Sequence, residues 1–581
     1  MKNYFDCSSL SRRLILARFL KGTAIVATGV SPLIGCGSND KKTTGPLDEL
    51  PGGDFQHGVA SGDPSDQAVI LWTRVAPLAT NTQDDDIPVS WEIAADENFS
   101  ALVNAGTAMA SAQRDYTFKV DAQGLQPGTH YFYRFSTASH QSITGVTKTL
   151  PTGSVDKVSF AVVSCSNYPA GYFHVYREIA NLPDLDAIIH LGDYIYEYAS
   201  DGYASKKAEA MGRSVMPAHE LLTLADYRQR YAQYRQDEDL QAAHRAAPFI
   251  AVWDDHEVAN DAWREGAENH NDGEGAYRDR LEAALRAYAE WMPIRPPVDE
   301  DIALLARNFE FGQLVNLSML DTRLVGRDKQ LDLAAYFSSG EFDAAAYAAD
   351  IGDSSRTLLG VSQREWLLNQ FASSATWQVL GQQVLMGTMA LPAAVATQQL
   401  TIAEFTELAQ LAQIAVSTPE QLTTDQRVFV EQKSHLLQLG ILPYNLDAWD
   451  GYPAERAMLL AAAQESNARL VVLAGDTHNA WVNQLNHNGD VVGLELAVPS
   501  VTSPGLEGYL QLATEQQVAQ TEMGLVQLID TLQYTNLANR GYLAVSFTPQ
   551  AMEATFYFID AVDQLSYRVL EAREHRVRLD S

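Results

Sequence analysis

The chain is short of positive charge. Its 581 residues hold 41 Lys and Arg against 73 Asp and Glu, a formal net charge of −32 at pH 7. The first 35 residues carry Lys2, Arg12, Arg13, Arg18 and Lys21 against Asp6, a net +4, so a chain without them stands at −36. That deficit excludes nucleic acid or anionic lipid as a bulk partner, because both need phosphate neutralisation by Lys and Arg. A phosphate-bearing substrate would need bound cations to enter, although an acidic surface also serves solubility alone. Cysteine is nearly absent, limited to Cys7, Cys36 and Cys165. If Cys7 leaves with a leader and Cys36 is modified, Cys165 has no partner and no internal disulfide is possible. Long apolar runs are missing as well, and the run from Gly22 to Gly35 is too short to span a bilayer as a mature anchor. There is no repeat period. What is present is ordinary for a globular protein, 46% apolar and 20% charged, in a chain too long for one hydrophobic core.

The start of the chain carries an address. Ser11-Arg12-Arg13-Leu14-Ile15 resembles a twin-arginine (Tat) signal, and Leu33-Ile34-Gly35-Cys36 resembles a lipobox whose cysteine takes a diacylglyceryl group. The expectation is a Tat-type lipoprotein signal peptide over 1–35 and export in the folded state through the Tat machinery. A periplasmic or extracellular location follows, with a membrane anchor on Cys36. The competing reading is a cytoplasmic protein with a basic, apolar start. Residues 36–54 are polar and read as a tether.

Residues 55–152 read as an all-β, fibronectin type III-like sandwich. Val69–Trp72, Val89–Ile93, Tyr116–Val120 and Tyr131–Phe135 are aromatic and β-branched runs with a period near two. Leu125-Gln-Pro-Gly-Thr-His-Tyr131 resembles the turn and tyrosine corner of such a sandwich. The loop His57–Asp63 faces the neighbouring domain or plain solvent. Residues 153–581 alternate strands with helices such as Tyr277–Trp291 and Glu455–Glu465, which predicts an α/β domain of two sheets flanked by helices. Val491–Val498, Tyr542–Phe547 and Met552–Phe558 read as strands of the second sheet. Residues 402–439 read as a helical insertion covering one face, and Gln511–Leu537 as helical scaffolding, with a lid over the site as the alternative.

Four apolar strands end in polar clusters. Val158–Ser164 runs into Cys165-Ser166-Asn167, and Ala187–Leu191 into Gly192-Asp193-Tyr194-Ile195-Tyr196-Glu197-Tyr198. Phe249–Trp253 runs into Asp254-Asp255-His256-Glu257-Val258-Ala259-Asn260-Asp261, and Leu470–Ala474 into Gly475-Asp476-Thr477-His478. Open α/β sheets keep their ligands at the carboxyl ends of their strands. The ends would therefore deliver Cys, Asp, Tyr, Asn and His to one edge, a polynuclear metal site. A lone cysteine is usually a small buried hydrophobe, but beside Asp193 and Tyr196 a ligand is the better reading. Ferric iron accepts thiolate, phenolate, carboxylate and imidazole, whereas calcium takes oxygen. A single cation cannot neutralise so many carboxylates; two or three can.

These motifs, with Asp321-Thr322-Arg323 and Trp449-Asp450-Gly451-Tyr452, resemble the PhoD-type alkaline phosphatase/phosphodiesterase family, a distant relative of purple acid and calcineurin-like metallophosphatases. The resemblance implies a ferric iron and two calcium ions. It implies Cys165, Asp193, Tyr196 and His478 as iron ligands, Asp193 bridging, and Asp255, Asn260 and Asp476 as calcium ligands. His256 would touch the phosphate or protonate the leaving oxygen, or else orient a neighbouring ligand, and Arg456 is a second candidate for phosphate contact. Asp321 and Arg323 read as a structural ion pair near the site. His174, His190 and His219 are given no site role. The expected activity is phosphomonoester hydrolysis, extending to diesters, by metal-bound hydroxide and without a covalent enzyme intermediate, because no Ser or Thr stands beside a base. The rivals are a phospholipase D or phosphodiesterase acting on lipid or cell-wall substrates, and a noncatalytic surface binding lipoprotein.

Overall fold

A computed structural model describes residues 52–78, 85–295, 305–338, 341–397, 399–443 and 445–578. The leader, Cys7, Cys36 and nearly all of the tether lie outside the described residues. Two large sheets, of nine and seven strands, dominate the described residues. The first runs Arg573–Arg578, Ala551–Ile559, Arg540–Phe547, Val158–Val163, Ala187–His190, Phe249–Ala251, Val59–Gly62, Ala68–Arg74, Thr117–Gln123. Its middle, from Val158–Val163 to Val59–Gly62, is parallel. The second runs Arg307–Phe311, Val315–Met319, Trp377–Gly381, Leu470–Ala474, Asp490–Ala497, Ala480–His487, Leu532–Asn536, again with a parallel centre.

Parallel strands covered on both faces must be apolar on both, which is why they read as unbroken runs. Val379, Val471 and Leu473 cluster with Phe160 and Phe547 of the first sheet, while Leu380, Val472 and Ala474 cluster with Leu359, Leu367 and Leu459 of the covering helices. That division is the period-two alternation of a strand. Phe160 meets Phe311 edge-on at 4.9 Å, and Trp377 meets Phe547 at 5.7 Å, so rings join the two sheets.

Two expectations change, and one strand is added. The segment His57–Asp63 is not a loop: Val59–Gly62 is a strand, and Asp63 N donates to Phe249 O at 3.1 Å. A Cβ on Gly62 would stand 2.3 Å from Pro293 O, so only glycine lets the strands meet there. The strands Arg540–Phe547 and Ala551–Ile559 belong to the first sheet rather than the second, through antiparallel pairing with Val158–Val163. Leu102–Ala110 is a strand the sequence pattern did not announce, since its LVNAGTAMA composition has no aromatic and little β-branching and its face is exposed.

The amino-terminal unit is all-β. Ile87–Ala94, Leu102–Ala110, His130–Ser136 and Gly145–Lys148 form a sheet whose inner residues pack on Val59, Val69, Leu71 and Phe118. Gln126 N donates to Tyr131 Oη at 2.7 Å, the corner read from the sequence. The opposing sheet of this sandwich is the far end of the nine-stranded sheet. Trp72 Nε1 donates to Glu290 O at 2.8 Å, Lys119 Nζ to Ala289 O at 2.7 Å, and Asp63 pairs with Arg307 at 2.7 Å.

The helices Ile402–Ser417 and Thr424–Lys433 leave and re-enter through the hairpin Ala390–Pro392 and Ile441–Pro443. Thr401 with Glu404 and Thr423 with Gln426 form capping boxes that start them. Ala394, Leu400, Leu408 and Leu436 give the excursion a small core of its own. Gln511–Leu537 holds the helix Glu515–Leu528 and the sheet strand Leu532–Asn536. No helix among the described residues is long and apolar enough to cross a membrane. Because the sandwich and the larger domain share a sheet, calorimetry is expected to give one unfolding transition; a separate early transition for residues 55–152 would contradict the shared sheet.

Candidate metal centre

Both sheets release their polar strand ends at one edge, and backbone hydrogen bonds stitch those ends together. Cys165 N donates to Gly192 O at 3.2 Å, Ser166 N to Asp193 O at 2.8 Å, and Gly475 N to Gln383 O at 2.6 Å. Cys165, Asp193, Asp476 and His478 all sit in the left-handed region, with φ of 62°, 57°, 62° and 64°. Such residues store strain of roughly 1–3 kcal/mol each and persist only where surrounding structure imposes it. Gly192, at φ 102°, passes so close to the next loop that a Cβ would stand 2.4 Å from Asp254 Cβ.

Three sets of candidate ligand atoms lie within 4.8 Å of one another: Cys165, Asp193 and His478; Asp193, Asp255 and His256; Asp254, Asp255 and Asp476. Asp193 is common to the first two sets and Asp255 to the last two, so they form one continuous cluster, with sulfur and imidazole at one end and carboxylates at the other. Tyr196 Oη donates to Asp193 Oδ2 at 3.0 Å, stands 3.3 Å from His478 Nε2, and accepts from Ser503 Oγ at 2.7 Å. Cys165, Asp193, Tyr196, Asp255, Asp476, His478 and His256 are thus brought together from four strand ends.

Of the two other predicted residues, Arg456 turns away from the cluster, whereas Asn260 lies on the loop that carries Asp255 and His256, beside Asp261, whose N–H donates to Asp255 Oδ2. Asn260 turns its amide to Glu268 at 3.2 Å and its backbone N–H to Glu197 at 2.8 Å. Arg456 Nη1 donates to Asp450 Oδ1 at 2.6 Å and Met386 O at 3.1 Å, because the turn Trp449–Gly451 folds Asp450 back onto the helix Pro453–Glu465. The Asp321–Arg323 ion pair is absent too. Asp321 caps the backbone N–H groups of Arg323, Leu324 and Val325, while the fully buried Arg323 guanidinium bonds Asp254, Asp447 at 2.6 Å and Asp476 at 2.8 Å. Sequence reasoning missed Asp254 and Asp447 as members of this network. The Asp254-Asp255 doublet was a usable signal for the first; Asp447 lies in no motif. His190 bonds the Tyr176 phenol, His174 bonds Gln564 O, and His219 bonds Glu220 O, away from the cluster.

The cluster is built for cations. Burial pushes the Cys165 thiol, the Asp193 carboxyl and the Tyr196 phenol well above their ordinary ranges, and lifts Asp476 and Asp261 to about 7. Burial works against Asp255 as well, but Arg323 and His256 beside it hold it at about 2. His478 is lowered to about 3 by burial, and its Nδ1 donates to Pro504 O at 2.8 Å, which leaves the Nε2 lone pair facing Tyr196. Asp193 Oδ1 and Asp254 Oδ2 are buried with no hydrogen-bond partner. A buried acceptor without a partner is costly, and a metal ion satisfies it. Thiolate, phenolate, carboxylate and imidazole together fit a transition metal; the carboxylate end fits a hard cation.

Two glutamates brace the ligand loops. Glu257 accepts from Asp193 N at 3.0 Å, Asp254 N at 2.7 Å and Tyr194 N at 2.5 Å, locking two loops in register. Glu197 accepts His256 Nδ1 at 2.7 Å.

A two-sheet α/β sandwich that gathers such a donor set at the carboxyl ends of its strands has the construction of a metallophosphoesterase. The comparisons agree with that class. The sequence model of the family described as "PhoD-like phosphatase" matches residues 160–556, and that of "PhoD-like phosphatase, N-terminal domain" matches residues 43–151. The chain therefore belongs to the PhoD-like phosphatase family and is a metal-dependent phosphoester hydrolase. It is 34% identical over 522 residues to "Alkaline phosphatase D" of Bacillus subtilis (strain 168), covering 86% of this chain and 77% of that one. The solved "Structure of PhoD" superposes with a TM-score of 0.70 at 30% identity, over 92% of this chain and 94% of the other.

Removing the Arg323 guanidinium leaves Asp254 and Asp476 without their buried cation, while Asp447 keeps Arg327. Arg323→Met is expected to lower stability by about 3–5 kcal/mol. The loss should shrink when calcium replaces chelator in the buffer, read as the shift in thermal midpoint; an equal loss in both buffers would contradict a carboxylate site for cations.

Proposed function

We propose that the chain hydrolyses phosphate monoesters, and diesters as a second class, with a ferric iron held by Cys165, Asp193, Tyr196 and His478 and calcium ions held at the Asp255 and Asp476 end. Asp193, common to two of the candidate groups, would be the ligand shared between them. The observation that carries this reading is Asp193 Oδ1, buried without a partner where the sulfur-bearing and carboxylate-rich ends of the cluster meet. When bound, such cations neutralise the phosphoryl oxygens and activate the attacking water.

The chain's own groups do the rest. His256 Nδ1 is taken by Glu197, so Nε2 is the nitrogen left for an ester at the cluster, where it can protonate the leaving oxygen. The serines of the first motif are engaged elsewhere: Ser164 Oγ accepts from Cys165 Sγ at 3.2 Å, and Ser166 Oγ pairs with Tyr176 Oη at 2.6 Å. Neither meets a base, which supports direct attack by water over a serine nucleophile.

The export reading rests on Arg12-Arg13 and Leu33–Cys36, with Cys36 as the lipidated residue and the Tat machinery as the route to a periplasmic or extracellular, membrane-anchored location. A protein that must acquire its cations before secretion suits a route that carries folded cargo.

Cys165→Ser is expected to lose iron by elemental analysis and aryl phosphate hydrolysis with it while keeping its circular dichroism spectrum, and Tyr196→Phe to lose a visible absorption band. Unchanged iron in the first or retained colour in the second would contradict iron ligation. Comparing an aryl phosphate with a bis-aryl phosphate diester ranks the two substrate classes; a diester hydrolysed faster than the monoester would favour the phosphodiesterase reading. Replacing Arg12 and Arg13 by Lys should leave full-length precursor in the cytoplasm on fractionation, and normal export would contradict the Tat route.

A further inference from the structure

We propose that Glu197 is a positioning residue that fixes His256 in the ring orientation and tautomer from which Nε2 serves the leaving oxygen. The inference rests on the phosphoesterase reading above and deepens it.

Glu197 follows Tyr196 directly, on the same loop as Asp193, so one segment carries two cluster residues and the anchor for the imidazole. Its side chain has no solvent exposure. Oε2 accepts His256 Nδ1 at 2.7 Å; Oε1 accepts Asn260 N and Asn269 Nδ2, both at 2.8 Å. With three donors converging on it, the carboxylate is an acceptor only, so Nδ1 must carry the hydrogen. A ring nitrogen of His256 lies within 4.8 Å of carboxylate oxygens of Asp193 and Asp255, and with Nδ1 taken by Glu197 the nitrogen left free is Nε2. The ring has little freedom to turn away. Tyr196 stacks on it at 4.2 Å with 30° between planes, and Tyr198 closes at 5.3 Å. The backbone on either side of Glu197 is pinned as well, since the buried Arg230 donates to Tyr196 O and, at 3.0 Å, to Tyr198 O. A carboxylate behind an imidazole whose far nitrogen faces the reacting group sets tautomer and orientation together.

In the step this serves, water forms the new P–O bond and the bond to the leaving oxygen breaks with its electron pair staying on that oxygen. His256 enters the step as the imidazolium, its Nδ1–H held by Glu197; the leaving oxygen takes the Nε2 proton, which leaves the neutral Nδ1–H tautomer, and the proton released by water returns to Nε2 through solvent.

The test is Glu197→Gln in the full metal-loaded protein, which keeps an acceptor for Asn260 and Asn269 but offers Nδ1 an N–H in place of an oxygen. Expected are an unchanged thermal midpoint, unchanged metal stoichiometry and unchanged KM. The kcat should fall about 100-fold for an alkyl phosphate, whose leaving oxygen needs a proton, and by less than about tenfold for a nitroaryl phosphate, whose leaving oxygen does not. In a His256→Gln background, Glu197→Gln should add nothing further. Equal losses for both esters, additive losses in the double variant, or a metal equivalent missing from either variant would overturn the proposal, the last by making His256 or Glu197 part of metal retention. A parent protein that hydrolyses neither ester would overturn the proposed function itself, and this inference with it.

Discussion

Carboxylates, a thiol and a phenol can share a protein interior only if positive charge is buried with them. Asp193, Asp254, Asp255 and Asp476 crowd close to Cys165 and Tyr196, and the charge the chain itself supplies comes from Arg323 and His256, with Arg327 acting on Asp476. An isolated buried ion is paid for in desolvation that no single guanidinium returns. The cluster is therefore incomplete as a set of side chains. Its unpartnered Asp193 Oδ1 and its elevated thiol and carboxyl fit a cage for cations.

The rest of the fold can be understood as what holds that cage together. Parallel strands from two sheets point their carboxyl ends at one edge, so residues far apart in sequence arrive within bonding reach. The turns that follow are strained at Cys165, Asp193, Asp476 and His478. Glu257 and Glu197 offset part of that strain by tying the Asp193 and Asp254–Asn260 loops to each other in both directions. Arg230 does the same from the helix Leu224–Tyr234 by satisfying carbonyls of the tyrosine-rich loop.

Much of this could be read from the sequence, for a definite reason. Strands buried on both faces announce themselves as apolar runs, and a run that stops at Gly-Asp or Ser-Cys marks a sheet edge where ligands sit. That signal placed the metal site at this edge, and the ligand set came from the family resemblance; Cys165, Asp193, Tyr196, Asp255, Asp476 and His478, with His256, do meet there. What could not be read was which polar partner each side chain chooses. Arg456 follows the right motif but turns to Asp450, and Asp447 enters the network from a stretch with no pattern. Local sequence likewise did not assign strands to sheets: Arg540–Phe547 pairs with Val158–Val163 across almost the whole domain, and Val59–Gly62 joins the amino-terminal sandwich to the main sheet. Such pairings are set by long-range contacts, not by composition.

The most direct test of the account is an anomalous diffraction map from crystals of the protein as purified, recorded at the iron edge. The account predicts a single strong peak bounded by Cys165 Sγ, Asp193, Tyr196 Oη and His478 Nε2. A map with no peak there, or one in which the metal sits away from Cys165 while the thiol remains bonded to Ser164, would contradict it.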